Sequence, residues 1–200
     1  MNLNYIFLIH FICYWFMVYL YDNNVPSKIF YRSALLSLKN QILYTYPCIY
    51  ILFKYYPISY DNFFLSFGYL PILIITSDIY FYITHRPLHS KLLFKFHKCH
   101  HTGIIHVAKS LDADGIEHIF GNLGSFLSGI LFLQYFGYTI HIYVLNLWIG
   151  IATINTCLSH SNLRCVLDDG VHKIHHKNLR CNYGTGLYIM DRLMGSYVKE

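Results

Sequence analysis

Apolar stretches of bilayer length dominate this chain and leave it few ways to fold. They cover about residues 3–21, 42–58, 63–83, 116–140 and 142–158, the second broken by Pro47 and dented by Lys54. A helix needs roughly 17–25 mostly apolar residues to cross a hydrocarbon core. Four or five crossings are therefore predicted, with Gly137-Tyr138 as the turn of a helical hairpin between the last two runs. Charged residues make up only 12% of the 200, and mean hydropathy is +0.36. So few charges cannot cover a water-soluble domain. This balance argues against a soluble domain, a disordered chain or a nucleic-acid module. The expected fold is an all-α polytopic membrane helical bundle with a histidine-rich helical cap. Residues 1–61 are read as N-terminal membrane helices and 62–200 as the segment bearing the cap.

The basic residues fix an orientation. If the polar stretch 84–109 is cytosolic and sides alternate, Lys28, Arg32 and Lys39 fall on the same side. So do Arg86, Lys91, Lys95, Lys98 and Lys109, and Arg164, Lys173, Lys177, Arg180, Arg192 and Lys199. These are fourteen of the fifteen Lys and Arg residues, and only Lys54 falls on the other side. Such asymmetry is what the positive-inside rule predicts. The N-terminus, with no basic residue before its apolar stretch, reads as a first membrane helix rather than a cleaved signal peptide. The C-terminal residues carry no retrieval signal. Cys13, Cys48, Cys99, Cys157, Cys165 and Cys181 include no CxxC pair and are expected to be reduced, buried thiols.

The thirteen histidines cluster. His85-Arg-Pro-Leu-His89 is an HxxxH, and His97-Lys-Cys-His100-His101 and His172-Lys-Ile-His175-His176 are both HxxHH. On a helix, positions i, i+3 and i+4 share a face, so each box can aim its imidazoles at one point. At this histidine frequency two HxxHH patterns arise together by chance about once in several hundred such chains. Pro87 suggests that a helix restarts at the first box, leaving His85 at the end of the preceding membrane helix. Eight or nine imidazoles exceed the needs of one ion and suggest two, each with an open position; the spacing does not choose among iron, zinc and copper. Ligating histidines need acceptors for the far ring N–H. Asp78, two helical turns before His85 on the same face, is a candidate.

The boxes, in this order, resemble the fatty acid hydroxylase / sterol desaturase superfamily. Asp78 to His89 is similar to that family's D…HRxxH element, and Phe96 to His101 to its second box. His160-Ser161-Asn162 is similar to its HSG/HSN element and His172 to His176 to its third box. Asn182-Tyr183-Gly184 with Asp191-Arg192-Leu-Met-Gly195 resembles its NYG…WDRLFGT ending. The likeness covers roughly 70–197 and makes 62–200 a histidine-box hydroxylase/desaturase domain. It implies two iron ions, with zinc possible in a purified or inactive form, at the cytosolic face of an endoplasmic-reticulum-type membrane. The implied ligands are His85, His89, His97, His100, His101, His160, His172, His175 and His176. Asp78, Glu117, Asn182 and Asp191 are expected to support them. The implied reaction is O₂-dependent hydroxylation or desaturation of a sterol or fatty-acyl C–H bond. Electrons would come from cytochrome b5 or a reductase, ultimately from NAD(P)H. No GxGxxG or P-loop is present, so the nicotinamide is expected to bind a partner, and the basic stretch Lys91 to Lys109 is a candidate docking patch for an acidic donor.

The chain departs from the family pattern in places. Asp114-Gly115 stands before Glu117 where many members have His-Pro, Thr156 replaces a histidine, Met190 replaces a tryptophan, and only eleven residues separate His160 from His172. Two rival readings use the same boxes: a zinc-dependent membrane hydrolase, and an inactive, metal-loaded lipid-binding relative. Of the other histidines, His118 is a pocket residue or one of a helix-terminal polar pair, and His106 a weak ligand candidate. His141 at the far turn and His10 in the first run are not expected to be ligands. Gly121, Gly124 and Gly129 read as close helix packing.

Overall fold

The structure is a computed structural model describing residues 4–161, 163 and 170–199. Asn162 of the HSN element, Arg164 and Cys165 lie outside the described residues. The elements are α1 (Asn4–Tyr21), α2 (Ser27–Asn40), α3 (Tyr46–Tyr55), β1 (Ile58–Ser59), α4 (Phe63–Phe67), α5 (Leu70–Leu88), α6 (Phe94–His101), α7 (Gly115–Glu117), α8 (Gly124–Tyr135), β2 (Ile140–His141), α9 (Ile142–Ser159), α10 (Val171–Lys177) and α11 (Ile189–Leu193). π-helical turns at Gln41–Thr45 and His118–Leu123 join α2 to α3 and α7 to α8, and a 3₁₀ turn spans Val107–Leu111.

Four helices are long and apolar enough to cross a membrane: Asn4–Tyr21, Phe63–Leu88, Gly115–Tyr135 and Ile142–Ser159. The chain is thus an all-α polytopic membrane bundle. The second apolar run is not among the four. It is divided between the π turn and the ten-residue α3, and continues the polar α2. Pro47 takes the first turn of α3, where its missing N–H is tolerated. The predicted hairpin turn forms: Gly137 has φ +80°, and Tyr138 N–H and Gly137 N–H return to Leu133 O and Gln134 O, closing the end of α8. The restart at Pro87 does not occur. α5 runs through Pro87 to Leu88 and ends on His89, so the proline sits in the last turn and removes one backbone bond there.

α5 packs on α8, and α1 on α9. Small residues allow the first contact. A Cβ on Gly129 would come within 2.8 Å of Leu73 Cα and 2.5 Å of Thr76 Oγ1; one on Gly124 would meet the Tyr80 ring at 2.7 Å. Gly121 differs from the sequence expectation, since its nearest neighbour is Glu117 Cγ at 3.8 Å in the preceding turn.

At the histidine end the N-terminal helices are clamped to the 3₁₀ turn. The buried Asp22 carboxylate accepts Val107 N–H at 2.8 Å, Ala108 N–H at 2.7 Å and the His106 ring at 3.0 Å. Ser37 and Tyr14 donate to Ala108 O, and Asn40 donates to Leu111 O and Ala113 O. Lys109 is buried here, donating to Cys99 O beside Asp112. At the opposite end β1 and β2 pair in parallel, and His141 caps α9 while bonding Tyr60 O. None of the described cysteines is in a disulfide.

Close approach at Gly129 predicts a contrast. Gly129→Ala pushes against backbone and should destabilise the detergent-solubilised protein by roughly 1–3 kcal/mol. Gly121→Ala has room and should be neutral or gain up to about 1 kcal/mol. Equal melting temperatures for the two variants would contradict the packing described.

Candidate metal centre

All nine box histidines converge, in two groups. His85, His89, His97, His101 and His175 form one and His100, His160, His172 and His176 the other; within each, one ligand nitrogen per ring lies within 4.8 Å of all the others. The i, i+3, i+4 spacing splits each HxxHH box between the groups: His97 and His101 go with His175, His100 with His172 and His176. The groups abut, the His101 and His176 ring centroids being 4.5 Å apart.

The nitrogen spacing is informative. His85 Nε2 is 2.8 Å from His97 Nε2 and 3.2 Å from His89 Nε2, and His97 Nε2 is 2.7 Å from His101 Nε2. In the second group His160 Nε2 is 3.1 Å from His100 Nε2 and 3.2 Å from His176 Nε2, which is 3.2 Å from His172 Nε2. An imidazole nitrogen has one in-plane site, used to donate or to accept. A nitrogen facing two others cannot satisfy both as hydrogen bonds. Lone pairs aimed at a common cation can: bonds of about 2.1 Å at right angles set neighbouring nitrogens about 3 Å apart.

The far nitrogens fix the tautomers. His85 Nδ1–H donates to Tyr183 O and His175 Nδ1–H to Cys181 O, each at 2.7 Å. His160 Nδ1–H donates to Thr156 O at 3.2 Å. Carbonyls only accept, so in these rings Nε2 keeps its lone pair. His97 Nδ1–H donates to Glu117 Oε1 at 2.7 Å. His175 Nε2 is buried with no hydrogen-bond partner, as a ligand without its ion would be. The residues present fit two metal ions.

Burial lowers the pKa of every box histidine outside the membrane spans. It takes His89 and His160 to about 3, His101 to about 2 and His175 to about 4; neighbouring imidazoles add to the effect at His89 and His101. His97, His100, His172 and His176 are lowered too, by burial first and by facing histidines second.

The supporting residues divide. Glu117 bonds the His97 ring. Asp78 does not: its carboxylate accepts Leu187, Tyr188 and Ile189 N–H at 3.1, 2.9 and 2.8 Å, tying the C-terminal loop and the start of α11 to α5. A helix two turns long separates it from His85, whose N–H is already taken by Tyr183 O. Asn182 and Asp191 act through the backbone. Asn182 holds Val198 from both sides, and Asp191 accepts Tyr183 N–H and Gly184 N–H at 2.8 and 2.6 Å, fixing the loop whose carbonyls receive His85 and His175. Those carbonyls and Thr156 O escaped the sequence reading because a backbone acceptor has no residue signature. His106 bonds Asp22 and stands outside both groups.

A cavity runs from His100, His160, His172 and Glu117 into the bundle, between walls that include Ile49, Phe126, Trp148 and Ile149. On the outer surface Lys91, Lys95 and Lys98 are exposed, whereas Lys109 is not, which shortens the basic patch.

Residues 70–196 match the family model described as "Fatty acid hydroxylase". The chain belongs to that family. It is 32% identical over 132 residues to fatty acid hydroxylase domain-containing protein 2 of Macaca fascicularis, covering 64% of this chain and 38% of the relative. It is 26% identical over 141 residues to a Delta(7)-sterol 5(6)-desaturase of Gibberella zeae, covering 66% and 38%. It is 29% identical over 150 residues to a putative Delta(7)-sterol-C5(6)-desaturase 2 of Arabidopsis thaliana, covering 71% and 52%. The chain thus spans about half or less of the length of these relatives. No solved structure matches it significantly.

A pH dependence follows for the metal-free protein. Unfolded histidines take up protons near 6.5, whereas the folded rings stay neutral down to about 4 or below. The unfolded state binds more protons in this window, so stability falls as pH drops from about 6.5 toward 4 and is level above it. Thermal unfolding with chelator present should show that break; a flat profile from pH 8 to 5 would contradict the neutral, buried cluster.

Proposed function

We propose that this chain is a two-iron lipid oxygenase that hydroxylates or desaturates a C–H bond of a sterol or fatty-acyl lipid. The observation that carries this reading is the convergence of nine imidazoles in groups of five and four, three of which, His100, His160 and His172, line a cavity with largely apolar walls. Five nitrogens exceed a tetrahedral zinc site and suit a six-coordinate metal with one open position. The names of the relatives, sterol desaturases among them, support the same chemistry. Electrons would reach the site from cytochrome b5 or a reductase served by NAD(P)H, and exposed Lys91, Lys95 and Lys98 offer such an acidic partner a surface. The membrane would be of endoplasmic-reticulum type, with the histidine end cytosolic, as the basic residues favour.

When bound, the metal pair would supply the activation of O₂ needed to attack an unactivated C–H bond. The chain's own residues do the rest. Tyr183 O, Cys181 O, Thr156 O and Glu117 hold ring protons on Nδ1, leaving Nε2 to ligate. The walls of α3, α5, α8 and α9 exclude water and align the hydrocarbon body. Glu117 Oε2 is buried, has no hydrogen-bond partner and belongs to a residue lining the cavity beside the histidines. It is placed to hand on a proton while Oε1 keeps His97 in place.

Metal analysis and lipid profiling test the reading together. The purified chain should carry two irons, and a host expressing it should gain an oxygen-dependent sterol or acyl product that His175→Ala abolishes. Zinc with product formed under anaerobic conditions would favour the hydrolase, and identical lipid profiles would defeat the enzyme reading.

A further inference from the structure

The cavity is not uniformly apolar. Trp15 Nε1–H donates to Gln41 Oε1 at 2.9 Å, Gln41 Nε2–H to His10 Nε2 at 3.2 Å, and His10 Nδ1 lies 2.9 Å from Thr153 Oγ1. An indole N–H can only donate. That fixes the Gln41 amide and, through it, the His10 tautomer, so Nδ1–H donates and Thr153 Oγ1 accepts. The Thr153 hydroxyl hydrogen is left over. A second series ends the same way. Asn122 Nδ2–H donates to His118 Nδ1 at 3.3 Å, and His118 Nε2–H to Thr45 Oγ1 at 2.8 Å.

Threonines elsewhere in the bundle behave differently. Thr76, Thr84 and Thr156 return their hydroxyl hydrogens to Ile72 O, Tyr80 O and Ala152 O in their own helices. Among the described residues neither Thr45 nor Thr153 makes such a bond, and both line the cavity. Asn155 lines it too, with Oδ1 buried and without a partner. Gln41, Thr45, His118 and Asn122 all stand on the two π-helical turns; such turns recur at functional sites, where the extra residue re-aims side chains. Thr153 lies seven residues before His160 on one helix, about 10 Å along its axis.

We propose that the cavity selects a lipid bearing a hydroxyl group, held by Thr45, Thr153 and Asn155, with its hydrocarbon body reaching the histidines. A hydroxyl accepts twice and donates once, and the wall supplies two donors and one acceptor. A bare hydrocarbon would leave all three unpaired in an apolar interior, which is how a polar site rejects the analogue lacking its partner. The inference rests on the lipid-oxygenase reading and names the polar group of its substrate.

The test is binding, which needs neither metal nor oxygen. The full chain in nanodiscs is titrated by tryptophan fluorescence, since Trp148 lines the cavity. The probes are cholestanol beside cholestane, and octadecanol beside octadecane, so that the two arms separate a sterol from an acyl-chain body. The hydroxyl-bearing member of one pair should bind at least roughly two- to tenfold tighter, the worth of one net hydrogen bond. The Thr45→Val/Thr153→Val double variant should bring that ratio to one with affinity for the deoxy member unchanged. Thr153→Ser should keep it. No preference in the wild type for either pair, or a preference that survives the double variant, would overturn the proposal. Oxygen-dependent product without a hydroxyl preference overturns this inference alone. A hydroxyl preference without any such product upholds it and overturns the oxygenase reading.

Discussion

Nine imidazole lone pairs face one another in a largely dry interior, and this arrangement governs the rest of the structure. Neutral nitrogens 2.7–3.2 Å apart, several facing two neighbours at once, cannot all be hydrogen-bonded to each other. Such a cluster persists only if its scaffold is rigid or if cations join it. The scaffold here is tied by hydrogen bonds. Each tautomer that can be assigned is set by an acceptor that is itself immobilised: Tyr183 O and Cys181 O by the loop that Asp191, Asn182 and Asp78 tie down, Glu117 by the turn leading into α8. Removing a loop anchor would disturb the ring nitrogens without touching one.

The parts legible in the sequence were those with a period. Bilayer-length apolar runs gave the helices, and the 3,4 spacing of histidines gave a shared face for each box. The split of each HxxHH between two groups was not legible, because adjacent His100 and His101 diverge by a helical step of about 100° and only the fold shows what stands on either side. Asp78 looked like a histidine partner because its spacing was right. Its carboxylate is filled instead by three backbone donors of a loop more than a hundred residues away, and no sequence pattern announces such a contact. The second apolar run, the fifth of the four or five expected crossings, leads from Asn40 at the histidine end to β1 at the other, but as the π turn and the ten-residue α3 continuing α2 rather than as one long apolar helix.

Polar groups inside a bilayer-spanning bundle are under a strict rule, since water is not there to satisfy them. Most here obey it within their own helix, as Thr76 and Thr156 do. The exceptions are concentrated on one cavity and on the π-helical turns, where the regular i to i+4 ladder is interrupted. In an interior this apolar, a series of donors ending in an unused hydroxyl hydrogen implies a partner that is not part of the chain.

That distribution also has a place along the sequence. The family likeness begins at residue 70 and holds every box histidine. Yet His10, Gln41 and Thr45, which shape the polar end of the cavity, all precede it, as does Asp22, which clamps the N-terminal helices to the turn after the second box. Every candidate ligand thus lies in the matched part. The polar wall of the cavity draws on both parts: His10 and Thr45 come from before residue 70, and His118, Thr153 and Asn155 from within the match. None of the contacts described between the two regions involves a box histidine: they include those from Asp22 and Ser37 to the backbone of Val107 and Ala108, from His10 to Thr153 and from Thr45 to His118, so the N-terminal residues can vary without touching a ligand nitrogen.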